Sequence, residues 1–353
     1  MLKKENFSEE HIRRLQDMSH RDPGLLERTV YAFGLLEALA KVGLRFTFKG
    51  GTSLMLLLPS PMRLSTDIDI IVAPGTEIDE YIEKARIIFP FIDAGEQERE
   101  KKGNIEKRHF KFNYDSCVNS NDQMYILLDV LFEENHYEAC VEKEIRNALL
   151  LTEGENLAVT VPTIDCMLGD KLTAFAPHTT GIRFGKKNLE IMKQFYDIST
   201  LADCFTDLDC VRKTFYSVSR TEIGYRQIDC TPEDVLLDII SSAVCIGSRG
   251  RYGEEDFPNY LEGTRKVTNH IFNAGFSMEQ ASKMAPQIIY LASCLLTDTP
   301  FERISDPGPF KNDILTQPDI RMLKTIKKAN PVGFGYLVKA DRLLASYRTH
   351  SKT

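Results

Sequence analysis

Lys49-Gly50-Gly51-Thr52-Ser53-Leu54 and Arg63-Leu64-Ser65-Thr66-Asp67-Ile68-Asp69-Ile70-Ile71-Val72 are the two stretches from which the rest of this chain can be read. Residues 45–49 alternate polar and apolar side chains, as a strand does, and run straight into the two glycines. The apolar run 54–58 then predicts a short helix, closed by Pro59-Ser60-Pro61. A second strand is expected from Asp67 onward, alternating at first and then wholly apolar, with its end at Pro74-Gly75. Strand, glycine turn, helix and strand in quick succession argue for a mixed α/β front half.

On a strand, residues i and i+2 point to one face, so Asp67 and Asp69 present two carboxylates side by side. Ionised carboxylates at that spacing repel, and a divalent cation between them relieves the repulsion; oxygen ligands of this kind suit Mg²⁺. A third carboxylate on a neighbouring strand would complete a two-metal clamp for displacement at phosphorus. Asp129 is the candidate, as the only charge in the otherwise apolar run 124–132; a charge guarding an edge strand is the alternative reading. Gly50-Gly51-Thr52 lies between strand and helix, where backbone N–H groups can line up toward a phosphate that the glycines allow to approach. It is not a Walker A loop, since no Gly-Lys-Ser/Thr follows.

Outward from this region, residues 8–18 are a helical candidate. Asp22-Pro23 opens a second helix whose apolar residues Leu26, Val30, Phe33 and Leu36 recur at helical spacing up to Gly43. Residues 77–89 read as an amphipathic helix, and 109–114, 124–132 and 157–161 as strands. Between 163 and 203 the pattern is helical, broken at 177–185. Past about residue 205 the two-residue period disappears, and 232–246, 259–274, 278–296, 319–329 and 335–347 all read as helices. In Gly169-Asp170-Lys171-Leu172-Thr173-Ala174, Lys171 occupies an apolar helix, a costly place for an ammonium without an anionic partner. Lys193 and Asp197 stand four apart on one helix face, the spacing of a surface salt bridge as well as of a site.

The ordered series Gly-Gly-Thr-x-Leu, Arg-x-Ser-x-Asp-x-Asp, Lys-Leu-x-Ala and Lys-x-x-Tyr-Asp-Ile resembles the AbiEii/AbiGii toxin family of nucleotidyltransferases, within the DNA polymerase β-like superfamily. The resemblance covers roughly residues 44–201. It implies an α+β fold: a nucleotidyltransferase domain over 1–205 (core about 25–205), a small twisted mixed sheet flanked by helices, then a helical C-terminal domain over 206–353. It implies Gly50, Gly51, Thr52 and Ser53 as the phosphate-binding turn and Asp67 and Asp69 as metal ligands. It further implies Lys171, with Lys193, at the nucleotide and Asp197 as a late-acting base or positioning group. Two Mg²⁺ ions, an NTP substrate, a tRNA acceptor and an antitoxin partner of a type IV toxin–antitoxin or abortive-infection pair follow from the same resemblance. A protein acceptor, or a non-catalytic binding protein of the same fold, are the alternatives. Two departures are visible: Gln194 stands where many members carry an acid, and residues 177–182 lengthen the gap before the last motif.

Bulk properties agree. Hydrophobic residues make up 42% of the chain and charged ones 27%, the balance of a soluble globular protein, and no apolar run is long enough to span a bilayer. The first residues lack the apolar core of a secretory signal, which points to the cytoplasm. Eight scattered cysteines without a C-x-x-C pair are expected to be free thiols. A net charge of −7 excludes a broad nucleic-acid-binding surface, not a local one. Residues 247–253 are a candidate basic loop. The tail 311–353, with nine Lys or Arg against three Asp or Glu, is a candidate for seating an RNA backbone or docking on the acidic remainder.

Overall fold

The computed structural model describes residues 1–97, 106–119, 122–272 and 275–350, and the chain in it divides into two units. The first comprises Met1–Thr163 with Asn269–Ala274, the second Ile164–Thr268 with Gly275–Thr353. In chain order the first unit holds α1 (Glu9–Ser19), α2 (Pro23–Lys41), β1 (Thr47–Lys49), α3 (Gly50–Leu57), β2 (Ile68–Val72) and α4 (Ile78–Ala85). There follow β3 (Asp93–Glu96), β4 (Lys107–Asp115), β5 (Gln123–Phe132), β6 (Cys140–Glu144) and β7 (Ala158–Pro162).

Among the described residues the strands form one seven-stranded mixed sheet in the order β3-β4-β5-β2-β1-β7-β6. β2 runs parallel to β5 and β1 to β7, and the other neighbours are antiparallel. β5 is therefore interior, which removes the edge-strand reading of Asp129. Alternation decides the faces: Ile126, Leu128 and Val130 of β5 and Ile68 and Ile70 of β2 are buried, while Asp129 and Asp69 lie on the other side. Helix α2 packs against β2 and β5. It starts where the sequence indicates, with the Asp22 side chain accepting from Leu25 N and Pro23 in the first turn, and the chain leaves it through Gly43 at φ +79°.

Helix α2 also buries Glu27. Its carboxylate accepts from Ser116 Oγ at 3.0 Å and Cys117 N at 2.6 Å, tying the helix to the segment that follows β4. Arg108 of β4 joins Asp79 of α4 and Glu96 of β3, each at 2.7 Å, and its guanidinium holds both carboxyls below their usual range.

The second unit is helical: α5 (Ile164–Ala174), α6 (Asn188–Cys204), α7 (Leu208–Arg226), α8 (Pro232–Ser248), α9 (Phe257–Val267), α10 (Met278–Leu296), α11 (Pro318–Arg321), α12 (Ile326–Ala329) and α13 (Pro331–His350). Here the structure differs from the expected boundary after residue 205. The units part at Thr163/Ile164, because α5 packs on α7 and α6 on α9 and α10 rather than on the sheet. The expected helix 259–274 stops at Val267. Residues 269–272 turn back into the first unit, where Leu64 N donates to His270 O at 2.7 Å; residues 273–274 lie outside the described ones. The expected helix 319–329 is split in two, since Leu323 N and Lys324 N bond three residues back and tighten the chain. Strands β3 and β6 and helix α7 were not anticipated. The two strands are mostly exposed and carry no apolar alternation to announce them.

Replacing Glu27 by Ala would leave the amide of Cys117 and the hydroxyl of Ser116 buried without their acceptor. Urea unfolding of Glu27→Ala is expected to show a loss of about 1–3 kcal/mol.

Candidate functional site

The two motif stretches meet at the turn from β1 into α3. Lys49 is still extended; Gly50 then adopts φ +80°, which reverses the chain into the helix and which a side-chain-bearing residue takes only with strain. A Cβ on Gly50 would stand 2.1 Å from Asp69 Oδ2. A Cβ on Gly51 would stand 2.4 Å from Arg63 Nη2 and 2.9 Å from Ser65 Oγ. The room that side chains would need at these two glycines is thus taken by the chain's own Asp69 and Arg63. Thr52 Oγ1 donates to the carbonyl of Asp67 at 2.6 Å, and Ser53 Oγ to that of Gly50 at 2.9 Å. Both hydroxyls belong to buried residues and hold the main chain in place.

Arg63 is buried and forms a bridge with Ile271 of the returning segment. Its guanidinium lies against Gly51, so a structural role is the one its surroundings support. Asp67 precedes β2 and is exposed, and its carboxylate accepts from Thr66 Oγ1 at 3.4 Å. Asp69 is on β2 and half-buried.

Strand register puts four of these polar residues in one row. Lys49 of β1 is the partner of Asp69, Asp69 of Asp129 on β5, and Asp129 of His109 on β4. Cross-strand partners stand about 5 Å apart on one face, so Asp69 and Asp129 are adjacent carboxylates. His109 Nδ1 lies 2.7 Å from Asp129 Oδ1. His109 was not among the candidate residues of the sequence. It opens a readable strand at 109–114, but its partner depends on a pairing register that sequence does not print.

Among the described residues no three His, Cys, Asp or Glu side chains converge into a ready metal cage. Mg²⁺ does not require one, since it keeps several waters and commonly binds through one or two carboxylates. Two adjacent aspartates, one with its oxygen in the hollow that a Cβ at Gly50 would fill, are a donor set of that kind.

In the second unit, Lys171 of α5 finds its anionic partner in Asp197 of α6. Lys171 Nζ lies 3.1 Å from Asp197 Oδ2, with the side chains only 6% and 2% exposed. Lys193 pairs with Glu190 at 3.1 Å. The insertion at 177–182 is anchored on Asp238, which accepts from His178 N and Thr179 Oγ1, both at 2.9 Å; burial pushes the Asp238 carboxyl up from its ordinary value. The basic loop at 247–253 reaches the tail through Arg251 Nη2, 3.3 Å from Thr325 Oγ1.

An open mixed sheet bearing adjacent aspartates beside a glycine turn into a helix is the framework of a nucleotidyltransferase. A family model described as nucleotidyl transferase AbiEii toxin, type IV TA system, matches residues 34–284, more than half of the chain. The chain belongs to this family. No curated protein matches it. Among the described residues no helix is long and apolar enough to cross a membrane.

Two outcomes are expected from this geometry. Gly50→Ala should lower the free energy of unfolding by at least about 1 kcal/mol through its left-handed backbone alone, with further loss from the collision with Asp69; chemical denaturation measures it. Lys171→Met and Asp197→Leu should each cost about 3–5 kcal/mol, because each leaves a buried charge without its partner. The double variant should cost clearly less than their sum, and additive losses would mean that the pair is not energetically coupled.

Proposed function

We propose that this chain is a Mg²⁺-dependent nucleotidyltransferase that moves a nucleoside monophosphate from an NTP to an acceptor hydroxyl, with a tRNA end as acceptor. The register of Asp69 with Asp129, beside the Gly50-Gly51 turn, is the observation that carries this reading. Asp67, Asp69 and Asp129 are the residues proposed to hold the metal, as a two-ion site. When bound, Mg²⁺ supplies positive charge to the phosphate oxygens and favours ionisation of the attacking hydroxyl.

The remaining roles fall to the chain's own groups. The first-turn amides of α3, from Gly50 to Ser53, offer N–H donors and the positive end of a helix to the triphosphate. Lys171 and Lys193 are assigned to neutralising the nucleotide's phosphates. Asp197, buried 3.1 Å from Lys171, is assigned the positioning part of its implied role, holding that lysine. The tRNA acceptor follows from the family resemblance, and a type IV toxin–antitoxin system supplies an antitoxin as partner.

A transfer assay tests the reading. Incubating the full chain with Mg²⁺, each α-labelled NTP in turn and total tRNA should put label into RNA, and Asp69→Asn should reduce it at least about a hundredfold. Asn keeps the shape of Asp69 at Gly50, so the variant's melting temperature should stay close to that of the parent. Undiminished transfer by Asp69→Asn would refute the metal assignment, and label in a protein band would replace RNA by a protein acceptor.

A further inference from the structure

Asp129 is an aspartate on an interior strand with an acidic neighbour on one side and an imidazole on the other. Across β2 its partner is Asp69, and across β4 it is His109. Rotation of an aspartate carboxylate about its Cβ–Cγ bond is soft, so the strand fixes where the group stands but not how its oxygens are turned. Asp129 Oδ1 accepts a 2.7 Å bond from His109 Nδ1. An ionised carboxylate only accepts, so Nδ1 carries the proton and the ring's tautomer is set by this contact.

The contact is poorly placed to serve stability. The His109 and Asp129 side chains are 16% and 31% exposed, and they lie on the sheet face opposite Leu128 and Val130, which are buried. Partly solvated pairs contribute less to folding than fully buried ones, whose partners have no water to turn to. A donor fixed on a carboxylate is, in contrast, what metal-binding acids commonly require, because it holds the ligand's plane before the ion arrives.

We propose that His109 is a positioning residue of this site: its Nδ1–H fixes the carboxylate plane of Asp129, so that Asp129 and Asp69 together take a divalent cation. The inference rests on the reading of Asp69 and Asp129 as metal ligands, and it adds to that reading a residue from β4.

The test is Mn²⁺ binding to the full chain, followed by the EPR signal of free Mn²⁺, in the parent protein, His109→Leu, His109→Asn and Asp129→Asn. His109→Leu removes the donor and should weaken Mn²⁺ binding by about 10–100-fold. His109→Asn places an amide N–H where Nδ1–H stands and should recover most of the affinity. Melting temperatures of the metal-free proteins should be nearly alike, which a merely structural role for His109 would not produce. Parent-like affinity in His109→Leu, with Asp129→Asn weakened, would overturn the role of His109 and leave the metal site intact. Parent-like affinity in Asp129→Asn would overturn the assignment of Asp129, and the inference about His109 with it. His109→Asn binding as weakly as His109→Leu would show that the donated bond is not what matters.

Discussion

Everything in the first unit's site depends on one close approach, the carboxylate of Asp69 against the bare Cα of Gly50. Because β1 and β2 pair antiparallel with Lys49 opposite Asp69, the residue that follows Lys49 must lie beside that carboxylate. Any side chain there would collide with it, and the same residue must also turn with positive φ to start α3. Gly51 answers a second demand, room for the Arg63 guanidinium and the Ser65 hydroxyl. The two motifs are therefore halves of one packed object. The returning segment around Ile271 holds the Arg63 side of it by backbone pairing.

The sheet separates two chemistries by alternation alone. Apolar residues of β2 and β5 are buried on the face against which α2 packs, so the polar residues between them must appear on the other face. Parallel pairing of β2 with β5 then brings Asp69 level with Asp129, and antiparallel pairing of β5 with β4 brings Asp129 level with His109. Neither juxtaposition costs the core anything, because the residues concerned do not belong to it.

Buried carboxylates recur as anchors for irregular backbone. Glu27 receives the amide of Cys117, Asp238 that of His178, and Asp341 those of Thr316 and Gln317. In each case a side chain on a regular helix satisfies N–H groups that have no partner in their own loop. The insertion at 177–182, which looks like added length in the sequence, is held in this way. Lys171 and Asp197 are of another kind, two buried opposite charges from separate helices that pair with each other.

What the sequence determined by itself was local. Caps, glycines and periodicity marked α2, α3, α8 and α10, the main strands, and the apolar context that made Asp69, Asp129 and Lys171 conspicuous, since each of these signals lies within a few residues of its cause. Even the need for a partner at Lys171 was legible, as a charge in an apolar helix. The identity of that partner was not: Lys193 stood at the right helical spacing for Asp197, yet Lys171, from another helix, is bonded to it. Tertiary structure alone decided which strands are neighbours, that Asp129 is interior, that His109 faces it, and that the glycines make room for Asp69 and Arg63. It also decided that α5 and α6 belong with the helices rather than with the sheet. Those outcomes turn on register and on packing between distant segments, and no window of sequence contains both sides of such a contact.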